Sequence, residues 1–176
     1  MALFRETADV SVRPATPGDE NAIARAQLRA WRATHAELLG EDVLEQLDAA
    51  AVREQWAAAI TAPPSPDHRV LVACDGPRVV GFAAYAPTGD GIEVVALEVD
   101  PDHRRAGHGS RLLAACVDLA REQGATHLTT WVLDQDEARA RFLAGAGLGK
   151  DGARRELATG GPDDRSVGED RWGAEI

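Results

Sequence analysis

Between Ile92 and Leu113 the chain passes from a β-rich run, through Asp100-Pro101 and the basic stretch Arg104-Arg105-Ala106-Gly107-His108-Gly109-Ser110, straight into an amphipathic helical pattern. A strand that feeds a helix through a glycine turn commits the chain to a layered α/β arrangement, because the helix must bury its apolar stripe against a sheet. Leu112, Leu113, Cys116, Val117 and Leu119 carry the helical spacing toward Glu122, and Gly124 ends it.

The flanking segments supply that sheet. Val10 to Pro14 alternates like a half-buried strand, and a helix capped by Thr16, with Pro17 in its first turn, is expected to run to about Ala33. His35 to Leu39 stops at Gly40, and Val43 to Thr61 reads as one or two further helices. After the proline-rich loop Ala62 to His68, the runs Arg69 to Cys74 and Val79 to Tyr85 form a hairpin about Asp75-Gly76-Pro77-Arg78. Ile92 to Val99 and His127 to Leu133 are strands, Asp136 to Ala144 is helical, and two short strands follow from Ala153 around the polar loop Gly160 to Ser166. The result is a mixed, mostly antiparallel sheet flanked by helices. The 176 residues suit one domain over 1–176, with 1–9 expected as a flexible N-terminal extension.

Nineteen Lys and Arg against 29 Asp and Glu give a formal net charge of -10, which disfavours nucleic acid and anionic lipid as general partners. Residues 1–10 carry Arg5, Glu6 and Asp9 and lack the apolar core of a signal peptide, so a cytoplasmic location is expected by default. Cys74 and Cys116 read as buried free thiols. His35, His68 and His127 have no metal-ligand spacing, so no metal is expected. Trp172, in the last strand, offers one edge for a homodimer.

Against this acidic background, His103, Arg104, Arg105, His108 and Arg111 form the densest basic patch in the chain. Glycines let the backbone turn and converge its N–H groups, and the helix N-terminus adds partial positive charge, so the segment suits a phosphate. It is not a P-loop, since no Lys-Ser or Lys-Thr follows the glycines, nor a dinucleotide fingerprint, since the third glycine is missing.

Arg104, Gly107 and Gly109 do match the spacing of the acetyl-CoA signature of the GNAT superfamily of N-acetyltransferases. The strand Ile92 to Val99 resembles that family's fourth strand, and Trp131-Val132-Leu133 followed by Asp136, Ala138, Ala140, Arg141, Phe142 and Gly147-Leu148 resembles its second motif. The resemblance spans residues 10 to 176 and is strongest from 92 to 148. It implies a GNAT fold with a sheet splayed between strands 4 and 5, and transfer of an acetyl group from acetyl-CoA to a small-molecule or protein amine by direct attack in a ternary complex. The alternative is a protein of this fold that binds acetyl-CoA with little or no turnover.

Carried over by position, the main chain at Leu97, Glu98 and Val99 would hold the pantetheine, and Leu97 N–H would polarise the acetyl carbonyl. Arg104 and the backbone of Arg105, Ala106, Gly107, His108, Gly109 and Ser110 would receive the phosphates, with Asp136 and Phe142 beside the cofactor arm. Glu93, eleven residues before Arg104, occupies the spacing of the family's strand-four general base. On simple alternation it shares a face with Val95, Leu97 and Val99, while Glu98 points the other way and is the second choice. Two departures stand out. Leu143 replaces the Tyr that serves as general acid, leaving Tyr85 as the one tyrosine available, and Asp136 replaces the usual Asn, where it can instead cap a helix. The charge balance predicts that positive charge is confined to the 104–111 loop and that acid dominates the acceptor side.

Overall fold

The computed structural model describes residues 10–158 and 166–176. The extension expected at 1–9, and all but the last residue of the loop expected at Gly160 to Ser166, lie outside them. Strand β1 (Val10–Pro14) leads into helices α1 (Glu20–Leu39), α2 (Glu41–Glu45) and α3 (Ala49–Thr61). An antiparallel run follows, β2 (Arg69–Asp75), β3 (Arg78–Thr88) and β4 (Gly91–Val99), and then α4 (His108–Glu122), β5 (His127–Leu133), α5 (Glu137–Gly145), β6 (Gly149–Ala158) and β7 (Ser166–Glu175). The strands form one seven-stranded sheet in the order β1-β2-β3-β4-β5-β7-β6. Its parallel pair is β4 with β5, joined through α4.

Several boundaries differ from expectation for local reasons. Helix α1 continues through Ala33 to Leu39, because nothing between them breaks a helix and Gly40 (φ 85°) is the first residue that does. Its N-cap is Asp19 rather than Thr16. The Asp19 carboxylate accepts from the Thr16 backbone N–H (2.8 Å) and from Arg13 (2.7 Å), so Thr16 to Gly18 form a turn ahead of the helix. Strand β6 starts at Gly149, before the expected Ala153, and is exposed along nearly its whole length. Cross-strand charge pairs support it in place of an apolar face, with Lys150 on Asp170 (2.5 Å) and Arg155 on Glu169 (2.6 Å).

Each sheet face has its own core. Helix α4 covers one, where Leu112, Leu113 and Cys116 pack with Leu71, Tyr85, Val94 and Leu97. On the other, Ile23 and Ala26 of α1 pack on Val72, Cys74 and Phe82, and Trp56 of α3 meets Phe82 edge-on at 4.9 Å between centroids. Cys74 and Cys116 therefore lie on opposite faces as buried free thiols, and burial pushes the Cys116 thiol up to about 12. Strand β7 is interior, between β5 and β6, and Trp172 belongs to the α4-side core, so it offers no edge for a dimer.

The feature that positions the site is a bulge in β4. Ala84 pairs with Ala96 and the next residue, Tyr85, with Val94, so Val95 has no partner on β3. An extra residue reverses the side-chain alternation beyond it. Ile92 and Val94 before the bulge, and Leu97 after it, all face α4. Glu93, Ala96 and Glu98 consequently share the face of α1, which overturns the expected grouping of Glu93 with Val95, Leu97 and Val99 and the expected opposition of Glu93 and Glu98.

Candidate active site

Strands β4 and β5 pair from Gly91/His127 to Val94/Thr130 and then part, although β4 continues to Val99 and β5 to Leu133. The result is a gap lined by the backbone edge of β4. Asp100 N–H bonds to Val80 O at 2.8 Å on the β3 side, and alternate residues of a strand turn their backbone groups to opposite sides, so Leu97 and Val99 turn theirs toward the gap. A guanidinium from α5 meets one of those groups: Arg139 Nη2 donates to Leu97 O at 2.7 Å.

At the end of β4 the chain enters a 3₁₀ turn, Pro101–His103, held to α1 by Arg29, which pairs with Asp100 (3.3 Å) and Asp102 (2.7 Å). Arg104 Nη2 donates to Thr34 Oγ1 at 3.0 Å, a second tie to α1. Arg105 sits at φ 64°, a left-handed conformation that costs an ordinary residue about 1–2 kcal/mol, and Gly107 follows at φ 81° as the N-cap of α4. The first turn of α4 holds no acidic side chain. Its leading N–H groups have no helical acceptor and point, with the helix dipole, at whatever lies before them. A Cβ on Gly109 would come 3.6 Å from the Phe142 ring and 3.9 Å from Leu97, so this end of the helix opens beside both the loop and the gap.

His108 departs from the expected basic patch. Its ring is buried, its Nδ1 has no partner, and burial holds its pKa below the ordinary imidazole value. Only its backbone is available to an anion. Positive charge is also not confined to the loop: Arg25, Arg29, Arg32 and Arg53 line a groove of about 400 Å³ between α1 and α3. The expected confinement of positive charge to the 104–111 loop therefore does not hold.

Around the gap the charges are tightly arranged. Arg139 Nη2 also donates to Glu98 Oε1 at 2.9 Å, and Arg139 Nε lies 3.7 Å from Asp136 Oδ2. Asp136 is the N-cap of α5, accepting the Arg139 backbone N–H at 2.9 Å. Burial drives the Glu98 carboxyl above its ordinary range, opposed by the charge of Arg139. His35, one helical turn after Trp31 on α1, is 7% exposed with Nδ1 unpartnered. Burial lowers its pKa, with the charges of Asp136, Arg139 and Arg104 nearby.

Glu93 stands on the same sheet face, half-buried, accepting from Trp131 Nε1 at 3.2 Å. The Trp131 ring that donates to it is itself covered by the Arg155 guanidinium, 4.2 Å from its centroid. Tyr85 is not brought to this face. It is 1% exposed in the α4-side core, where its hydroxyl donates to Gln123 Oε1 at 3.3 Å. Leu143 is likewise core, 2% exposed. Sequence reasoning missed Arg139 and the buried His35 beside it. The available signals were helical spacings: Arg139 precedes Leu143 by four residues, as Trp31 precedes His35, so each pair shares a helix face. Among the described residues no group of His, Cys, Asp and Glu is arranged to hold a metal ion, and no helix is long and apolar enough to cross a membrane.

A sheet parted beside a glycine-capped helix N-terminus defines a class, and the sequence agrees with the geometry: residues 25–149 match the model of the acetyltransferase (GNAT) family, and the chain belongs to that family. A relative in Bacillus subtilis, the uncharacterized N-acetyltransferase YuaI, is 28% identical over 133 residues, covering 72% of this chain and 73% of its own. Among solved structures, the PaiA N-acetyltransferase of Thermoplasma acidophilum in complex with coenzyme A superposes with a TM-score of 0.77 at 16% identity, over 96% of this chain and 99% of that one. The YncA protein of Salmonella typhimurium, solved with its cofactor acetyl-CoA, gives a TM-score of 0.70 at 21% identity, over 95% and 94% of the two chains. These last two likenesses are of fold.

Proposed function

We propose that this chain transfers an acetyl group from acetyl-CoA to an amine acceptor, with both substrates held together. The observation that carries the reading is the juxtaposition of two features: the β4 edge, with Leu97 and Val99 turned into a gap between strands, and the glycine-capped N-terminus of α4 opening beside it. The first suits an extended amide-bearing chain and the second suits phosphates, the two chemistries that coenzyme A joins. The missing Cβ at Gly109 leaves room where they meet.

Acetyl-CoA supplies the acetyl group as a thioester. The backbone of Arg105, Ala106, Gly107, His108, Gly109 and Ser110 receives the phosphates, with Arg104 and Arg111 adding charge. The edge from Leu97 through Glu98 to Val99 aligns the arm, and Phe142 and Asp136 border it. Leu97 N–H is the donor that stabilises negative charge developing on the acetyl oxygen. An aliphatic amine, with an ordinary pKa of about 10.4, arrives protonated at neutral pH and must lose a proton before it attacks. We assign that removal to Glu93, which is open enough to exchange with water, whereas Glu98 is committed to Arg139. With Tyr85 in the core, no general acid is assigned, and a thiol of pKa about 8.5 is a tolerable leaving group without one.

A second reading, acetyl-CoA binding with little turnover, is favoured by Leu143 in the core and by Arg139 lying across the gap. An amine panel separates the two. Acceptor-dependent release of free CoA thiol is the expected result, and tight acetyl-CoA binding without such release supports the second reading. In an active preparation, Glu93→Gln should lose most rate below the amine pKa and approach the parent above it; an unchanged pH profile removes Glu93 as the base.

A further inference from the structure

Arg139 projects from α5 into the opening between β4 and β5, and its Nη2 reaches both the Leu97 carbonyl (2.7 Å) and Glu98 Oε1 (2.9 Å). Both partners are on β4, so the side chain ties α5 to β4 across the opening. The pair is largely removed from water, with side-chain exposures of 21% for Arg139 and 13% for Glu98. Leu97 O is also one of the backbone groups on the edge that the thioester arm of coenzyme A would follow.

We propose that Arg139 sets the affinity for the acyl donor, competing with the thioester arm for the Leu97 edge so that binding of the arm depends on how readily the guanidinium leaves it. The proposal rests on the acetyl-CoA reading above. Its physical content is a differential effect. The phosphates meet the loop and the start of α4, where Arg139 makes no contact among the described residues, so the nucleotide end of the donor binds irrespective of this side chain. The arm binds only by exchanging the Arg139 to Leu97 hydrogen bond for one of its own.

The neighbours of Arg139 explain why it rests in the gap. Glu98 on β4 and Asp136 at the α5 N-cap attract it, and the buried ring of His35 on α1 and the Arg104 guanidinium of the phosphate loop lie in the same neighbourhood. A guanidinium does not lose its proton in a protein, so Arg139 keeps its charge and its bond to the Leu97 carbonyl, while its attraction to Glu98 weakens when that carboxyl takes up a proton.

The experiment measures dissociation constants by calorimetry for two probes, coenzyme A and 3′-phospho-ADP, which keeps the phosphates and lacks the arm. The full chain and its Arg139→Ala and Arg139→Gln variants are compared, Gln keeping length without charge. The expected result is a several-fold tightening for coenzyme A in both variants with 3′-phospho-ADP unchanged. A side chain that only braced the fold would weaken both probes together. Equal changes in the two probes, or weaker coenzyme A binding in the variants, overturns the competition while leaving the acetyl-CoA reading intact. Failure of the parent chain and the variants to bind either probe overturns both.

Discussion

Thr130 donates its hydroxyl to the Val94 carbonyl at 2.9 Å, at the last paired position of β4 and β5. The bond lies where the strands begin to part, and Thr130 is 7% exposed. Thr130→Val keeps the shape and removes the donor, leaving a buried acceptor short of a partner, at a cost of about 1–2 kcal/mol. In a protein of this size that lowers the melting temperature by roughly 2–8 °C. Thermal unfolding followed by circular dichroism measures it, and an unchanged midpoint would show that the gap does not depend on this bond.

The two signature glycines should respond differently to alanine. Gly107 holds φ 81°, and a Cβ there would also come within 3.1 Å of Arg111 Nη1, so Gly107→Ala costs about 1–2 kcal/mol of stability. Gly109 is ordinary helix, and its added Cβ would meet Phe142 at a normal 3.6 Å. Gly109→Ala should leave urea unfolding within about 0.5 kcal/mol of the parent. Equal losses from the two substitutions would contradict the left-handed cap.

The glycine loop, the strand before it and the helix after it were legible because local chemistry dictates them: Gly107 and Gly109 between two periodic runs admit few other structures. Strand β6 was only partly legible, since its support is charge pairing with β7, and a run such as Arg154-Arg155-Glu156 carries no period that marks it as sheet. The misplacement of Glu93 had a single cause. The unpaired Val95 is 57% exposed and looks like any β-branched strand residue, so nothing in the sequence marks it as the extra residue that reverses the faces. Arg139 was overlooked because its importance comes from two β4 partners about forty residues away, a long-range fact that helical spacing cannot supply.

Burial makes Glu98 an unusual contributor to pH dependence. Its folded pKa is raised above the unfolded one, so between those values the native chain binds more protons than the unfolded chain, and stability falls as pH rises. The contribution is fully present below the ordinary carboxylate pKa and is lost as pH passes the raised value. Glu98→Gln is neutral throughout and removes this component. Denaturant titrations at a series of pH values should show the Gln variant gaining on the parent as pH rises through that window. A constant difference between the two would mean that Arg139 fully compensates the burial.

Gly81 connects the register of the sheet to the site. It pairs with Val99, and a Cβ built on it would lie 2.9 Å from the Glu98 carbonyl oxygen and 3.2 Å from a Val99 methyl. The first contact is backbone, which cannot rotate away, so Gly81→Ala must push β3 and β4 apart just where β4 carries Leu97 to Val99. Overpacking of this kind costs about 1–3 kcal/mol. The displacement should also disturb the Arg139 contacts with Leu97 and Glu98, which share that segment, while the distant β6–β7 pair is untouched. Amide hydrogen exchange reads both effects: faster exchange confined to β3 and the end of β4 is the expected pattern. Equal acceleration across β6 and β7 would show that Gly81 supports the whole sheet rather than the edge that borders the gap.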